Sequence, residues 1–322
     1  MQTGTNVQWG GTDRYVYCND IIDGTAVCVR IDIETGETTA FAGPMYSVCP
    51  DDTCIVGFPL EYFDITQLGY GCPPVTPGAF KTLPPGASTT EGIWRTDLAT
   101  NRKKLIVTLA DAAALLEPPP FENYTFYFWH SKFNRQGTRV YQVLRCMEPG
   151  NDDTRHPVNL TFKPDGSELY YTTPNYPTWG SGGGHPNWHA DGEHLVRHLK
   201  FEDGKNYFVQ FRYDGSTFRK LSEKIKGGGH PSVEKRSRYL IADDTDKYDD
   251  YKTVSLRLVD LSAEEEMKVC TLGTIFWEKM YDDNVYRLDG HPVWSRDYKK
   301  VSLQAAPDGN RQLFVIDLSK II

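Results

Sequence analysis

The chain has 322 residues, enough for two average domains or for one large all-β domain. With 39% hydrophobic and 24% charged residues it has the composition of a folded globular protein, which excludes a disordered chain. A net charge of −8, from 35 basic and 43 acidic residues, argues against a nucleic-acid surface, which needs clustered Lys and Arg, but leaves room for a local site that takes an anionic carbohydrate.

Aromatic residues reach 13%, and 28 Gly with 20 Pro point to many short strands joined by tight turns. Taken in chain order, NVQWGGTDRYVYC from Asn6 reads as strand, polar turn, strand, and VCVRIDIETGETTAF reads as a second hairpin. The pair returns as YSVCPDDTCIVGF from Tyr46 with GIWRTDLATNRKKLIV. LADAAALL (109–116) is the main helical exception, a short helix in the long insertion of this second unit. The third pair is HSKFNRQGTRVYQVL from His130 with VNLTFKPDGSELYYT, and the fourth is HPNWHADGEHLVRHL from His185 with YFVQFRYDGSTFRKL. The fifth is HPSVEKRSRYLIAD from His230 with VSLRLVDLSAEEEMKVC, and the sixth is HPVWSRDYKKVSLQA from His291 with RQLFVIDLSKII.

Two hairpins per unit make four antiparallel strands, repeated about every 40 to 60 residues, and that is the period of a β-propeller blade. The expected fold is therefore all-β, a single β-propeller domain over 1–322 with six visible four-stranded blades; a seventh is compatible with the length. The last unit ends at its third strand, so residues 1 to 5 are expected to supply a fourth and close the ring.

No apolar run approaches the roughly 20 residues of a membrane helix, and MQTGTNVQWGG has neither the basic nor the apolar stretch of a signal peptide. The expectation is a cytoplasmic protein, or a periplasmic one if an upstream segment is missing. The seven cysteines (18, 28, 49, 54, 72, 146, 270) follow no CxxC spacing and read as reduced, mostly buried thiols rather than a disulfide framework or a zinc ribbon.

GGGHPNWHADG (182–192), GGGHP (227–231) and DGHP (289–292) put a histidine at the opening of successive units. The first strand of a propeller blade lines the channel, so the opening residues Asn6, Tyr46, His130, His185, His230 and His291 are expected at its mouth. Thirteen residues further on stand Asn19, His198, Asp243 and Gln304, expected as a second ring on the same face, with Arg145 beside them. Converging neutral imidazoles suit a divalent transition metal. An imidazole left without metal can act as a general base near neutral pH. Metal and base together are what proton abstraction beside a carboxylate requires.

GGGHPNWHADG, GGGHPSVEKRS and DGHPVWSRDYKK resemble the repeats of the oligogalacturonate lyases and, more loosely, of the β-propeller ulvan lyases. The resemblance covers most of the chain and is densest over residues 125–322. Oligogalacturonate lyases are metal-dependent and cleave uronic-acid glycosides by β-elimination. The resemblance implies His185 as base and His230 and His291 as metal ligands. The family's last metal-binding segment carries His-x-His with a nearby Gln, whereas this chain has Leu288-Asp289-Gly290-His291, which leaves the coordination number open. The implied cofactor is a divalent metal, manganese ahead of zinc, nickel, iron or calcium. The ulvan-lyase likeness implies a second mechanism in which His130, Tyr46 and Arg145 supply base, acid and carboxylate partner. Tyr46, His198 and Gln304 are then the expected substrate contacts.

Against these stand plainer readings. His-Pro can be a structural strand opening, as in Tol-system propellers, which makes the chain a non-catalytic scaffold for proteins or glycans. His189 and His194 flank the Asp191-Gly192 turn and read as solvated. His198, Asp243 and Gln304 can be ordinary polar loop residues. Asp243-Asp244-Thr245-Asp246 with Tyr248-Asp249-Asp250 reads as a solvated loop rather than a calcium site. Ser181-Gly182-Gly183-Gly184 lacks the Lys-Ser/Thr of a phosphate loop. A hydrolase would need paired carboxylates, and Asp243 is the lone candidate. The expectation is a lyase whose partner is an acidic oligosaccharide, with neither nucleic acid nor membrane as partner and the oligomeric state open.

Overall fold

Alternating apolar and polar residues between Gly, Asp and Asn turns pair off as antiparallel strands. The computed structural model describes residues 5–62, 71, 83–116, 123–149, 156–172, 185–245, 253–274 and 288–322. The chain divides into two compact units, Met1–Thr173 and Pro174–Ile322.

The first unit holds three four-stranded sheets, each hydrogen-bonded in sequence order. They are β1 (Gln8–Trp9) to β4 (Thr38–Ala40) through β2 (Tyr15–Ile22) and β3 (Thr25–Asp32); β5 (Ser47–Val48), β6 (Cys54–Gly57), β7 (Gly92–Asp97) and β8 (Arg102–Thr108); and β9 (Thr125–Phe133), β10 (Val140–Met147), β11 (Val158–Phe162) and β12 (Tyr170–Tyr171). The expected helix is present as α1 (Leu109–Ala113), started by a Thr108/Asp111 capping box, and it directly follows β8.

The second unit holds β13 (Asn187–Trp188), β14 (His194–Lys200), β15 (Asn206–Arg212) and β16 (Phe218–Lys220). Next come β17 (Ser232–Val233), β18 (Tyr239–Thr245), β19 (Thr253–Asp260) and β20 (Glu265–Gly273), and then a three-stranded sheet of β21 (Val293–Trp294), β22 (Lys300–Ala305) and β23 (Gln312–Asp317). Six successive antiparallel sheets, the last described through its third strand, make this an all-β protein of the β-propeller class. Residues 1–4, which were expected to complete that last sheet, lie outside the described residues, as do the 181–184 glycine run and 246–252. The Thr5 carbonyl accepts from the Asn19 amide (2.7 Å), within the first unit.

Two local devices repeat in all six sheets. The turn between first and second strand is closed by an amide bonded to the carbonyl five residues on, from Gly10, Cys49, Asn134, His189, Glu234 and Ser295 (2.8–2.9 Å). The turn after the third strand is capped by Asp32, Asp97, Asp165, Asp214, Asp260 or Asp317, whose carboxylate accepts from a backbone amide two or three residues ahead. Apolar clusters between sheets supply the core, such as Tyr17, Cys28, Phe41, Met45, Val48 and Ile55 in the first unit and Ile241, Leu256, Trp294, Val301 and Leu303 in the second. Each such side chain contributes about 1.5–3 kcal/mol when fully buried.

Counting back four residues from each turn-closing amide gives the true opening positions: Asn6, Met45, His130, His185, His230 and His291. Tyr46 therefore stands one place nearer the turn than expected, and buried Met45 holds the equivalent position. Four of the openings are left-handed at a non-glycine residue: Asn6 (φ 46°), His130 (57°), His185 (63°) and His291 (45°). His230 instead follows Gly229, which takes the positive φ itself (64°). Such backbone is costly for an L-residue and persists where the surroundings enforce it, often at functional sites.

Two of the residues thirteen positions on, Asn19 and Asp243, are buried rather than open to substrate. Asn19 is buried on β2, where its amide donates to the Met45 carbonyl (2.7 Å) and accepts from the Met45 amide (2.8 Å). Asp243, buried on β18, accepts from the His291 amide (3.1 Å). In both sheets this residue latches the opening of the next blade.

Candidate metal and catalytic centre

The second unit gathers His185, His230 and His291, the openings of three consecutive sheets. The ring centroids of His185 and His230 are 4.0 Å apart, those of His230 and His291 3.8 Å, and those of His185 and His291 5.8 Å. Three imidazoles from residues more than 40 positions apart in sequence thus share one small space.

His230 is the buried member, its side chain 10% exposed. Its Nδ1 lies 2.9 and 2.8 Å from the two oxygens of Asp243, and its backbone amide donates to Asp243 Oδ1 (2.6 Å). Its Nε2 is buried with no hydrogen-bond partner among the described residues. Burial alone would raise the Asp243 carboxyl. The His230 hydrogen bond, the neighbouring His230 and His291 charges and the His230 amide outweigh burial and hold it well below the usual carboxylate range.

Asp289 adds a carboxylate that the sequence reading had not assigned. Its Oδ2 lies 3.8 Å from His291 Nε2, and one ligand atom from each of His230, Asp289 and His291 falls within 4.8 Å of the others. Two imidazoles and one carboxylate suit a divalent first-row metal, and the bare, buried Nε2 of His230 is the orphaned polar atom such an ion would satisfy. A signal was in the sequence: Asp289-Gly290-His291 keeps the i, i+2 spacing of His-x-His, with a carboxylate in place of the first imidazole.

His198 on β14 is near enough to His230 and Asp243 to feel both charges. Burial first, then the Arg197 and His230 charges, push its imidazole down to about 4, with Asp243 opposing, and its buried Nδ1 has no hydrogen-bond partner among the described residues. It is a neutral imidazole on a strand, not a loop residue. Gln304 contributes its backbone amide, which donates to the Gly290 carbonyl (2.9 Å) behind His291, while its side chain is exposed. His189 departs from expectation: it is 5% exposed, and its Nε2 is 2.7 Å from Ser237 Oγ in the turn of the next blade. His194 is half-buried and paired with Asp191 (2.8 Å).

In the first unit, His130 is the extra residue of a β-bulge in β9, where the register with β10 shifts between Gln142 and Val143. Its Nδ1 is 2.7 Å from the Tyr46 hydroxyl. The Trp129 ring lies 4.9 Å from His130, and the Arg145 guanidinium lies 5.1 Å over Trp129. Arg145 Nε and Nη1 are buried without hydrogen-bond partners among the described residues. Tyr46 and His130 are thus in direct contact, and among the described residues Arg145 reaches them only through the Trp129 ring.

No family model matches the sequence, and no curated protein matches it. Among solved structures the chain is similar to an oligogalacturonate lyase in complex with manganese, at 16% identity and a TM-score of 0.62, over 97% of this chain and 76% of that one. An oligogalacturonate lyase from Vibrio parahaemolyticus gives the same TM-score and coverage at 12% identity. The tricorn protease is similar at 11% identity with a TM-score of 0.60, over 98% of this chain and 29% of that one. These likenesses establish the β-propeller fold, which carries more than one activity.

Proposed function

We propose that the protein is a carbon–oxygen lyase that cleaves uronate-containing oligosaccharides by β-elimination, with a divalent metal, manganese first, held by His230, His291 and Asp289. The observation that carries this reading is the meeting of His185, His230 and His291 within 3.8–5.8 Å, with His230 Nε2 bare and buried. The likeness to a lyase in complex with manganese supports the choice of metal and reaction. A bound cation would neutralise the uronate carboxylate and acidify the proton on the adjacent carbon.

His185 takes that proton. The released electron pair forms a carbon–carbon double bond as the bond from the next carbon to the glycosidic oxygen breaks, and that oxygen leaves with its pair and is protonated by water. His198, kept neutral by burial within electrostatic reach of His230, adds no further cation. An acidic oligosaccharide is the partner this chemistry needs.

Metal analysis of the purified protein, with a screen of pectin, ulvan, alginate and glycosaminoglycan fragments, tests the reading through the ultraviolet absorbance of an unsaturated uronate. Chelation is expected to abolish turnover. His185→Ala is expected to lower kcat by about 10²-fold or more, the range of a lost general base, while Mn²⁺ still binds. Undiminished turnover in that variant removes His185 from the role of base, and the absence of unsaturated product from every uronate removes the lyase.

A further inference from the structure

Asn19 and Asp243 occupy the same place in their blades, thirteen residues after the opening, and both latch the opening of the next blade. In the first unit the latch is a neutral amide, and it is complete: Asn19 donates to the Met45 carbonyl and accepts from the Met45 amide. The contact with the next opening therefore does not by itself require a carboxylate, although Asp243 also accepts from the His230 amide of its own blade, a role Asn19 does not have. What differs at Asp243 is a histidine beside it. Asp243 Oδ1 accepts from the His230 amide (2.6 Å) and Oδ2 from the His291 amide (3.1 Å), so both oxygens face backbone donors. The same two oxygens lie 2.9 and 2.8 Å from His230 Nδ1. A group that already accepts on both oxygens leaves Nδ1 one role, that of donor.

We infer that Asp243 is a positioning residue: it fixes His230 as the Nδ1–H tautomer and so presents the bare Nε2 lone pair to the site. The inference rests on the reading of His230 as a ligand, and it explains why Nε2 is the atom left without a partner. A carboxylate behind a ligating imidazole sets its tautomer and ring orientation and raises its basicity. Two glycines clear the space for it. A Cβ on Gly229 would sit 1.8 Å from the Asp243 carbonyl oxygen and 2.5 Å from Oδ1, and one on Gly290 would sit 3.0 Å from Asp243 Cβ.

The perturbation is Asp243→Asn. Its oxygen can still accept from the His291 amide, as Asn19 does from Met45, but its NH₂ then faces both His230 Nδ1 and the His230 backbone amide, which loses its acceptor. That donor turns Nδ1 into the acceptor and moves the ring proton to Nε2. The first readout is long-range ¹H–¹⁵N correlation of the histidine rings in metal-free protein. The wild type is expected to show His230 protonated at Nδ1, and the variant at Nε2. The second is calorimetric titration with Mn²⁺, where the variant is expected to bind about 10- to 100-fold more weakly, the usual effect of losing such a partner.

A wild-type His230 protonated at Nε2 overturns the inference. So does a variant whose tautomer is unchanged and whose Mn²⁺ affinity stays within about two-fold of wild type, or one that fails to fold, since the carboxylate would then be structural. Neither readout uses turnover. A positive result with no activity on any uronate would leave the positioning role standing and remove the proposed reaction.

Discussion

His198 lends itself to a quantitative test. Its imidazole is pushed down to about 4 from an ordinary 6.5, by burial first and by the Arg197 and His230 charges next. A depressed folded-state value means that the unfolded chain takes up the proton first as pH falls. The stability tied to a neutral His198 is complete above about pH 6.5, drains away below it, and is gone once pH passes the folded value near 4. Integrating the linkage between about pH 7.5 and about pH 5 gives a loss of roughly 2 kcal/mol, out of a full span of about 3 kcal/mol. His198→Gln keeps a polar, uncharged side chain at every pH. Equilibrium urea unfolding of both proteins at the two pH values isolates the term, because other titrating groups cancel in the difference. The wild type is expected to lose about 2 kcal/mol more than the variant on acidification. Equal losses would mean that His198 is hydrated in solution and would refute a desolvated imidazole beside His230.

Other outcomes follow from the same geometry. Gly229→Ala places a methyl group 1.8 Å from the Asp243 carbonyl at a φ of 64°, so it is expected to cost at least about 2 kcal/mol, read as a fall of about 3 °C or more in Tm. Asp289→Asn keeps an oxygen donor but removes its charge. Mn²⁺ affinity is expected to fall about ten-fold or more in calorimetry with Tm nearly unchanged, and unchanged affinity would remove Asp289 from the ligand set.

How much of this was legible in the sequence depends on which contacts a residue makes. The blades were, because each is a local object: hairpins with period-two alternation, an Asp cap after the third strand, and a turn closed over five residues all lie within one repeat. The histidine openings were legible for the same reason, since GGGHP and DGHP mark one repeat position. Tyr46 was set one place off because Met45, the residue truly at the opening, carries no polar group to flag it.

The remaining misreadings share one physical cause. Asn19 acts on Met45, His189 on Ser237 and Asp243 on His291, and each of these contacts crosses from one blade to the next. A repeat read alone shows such a residue only as a polar side chain beside a turn or at the end of a strand, where solvation is the natural assignment. Burial between neighbours reverses that assignment, because an unpaired buried polar group costs about 1–3 kcal/mol. Polar residues that recur at a fixed offset in a repeat protein are therefore better read against the following repeat than against solvent. By that rule Asp243, thirteen residues after His230, is the first place to look for what orients the site.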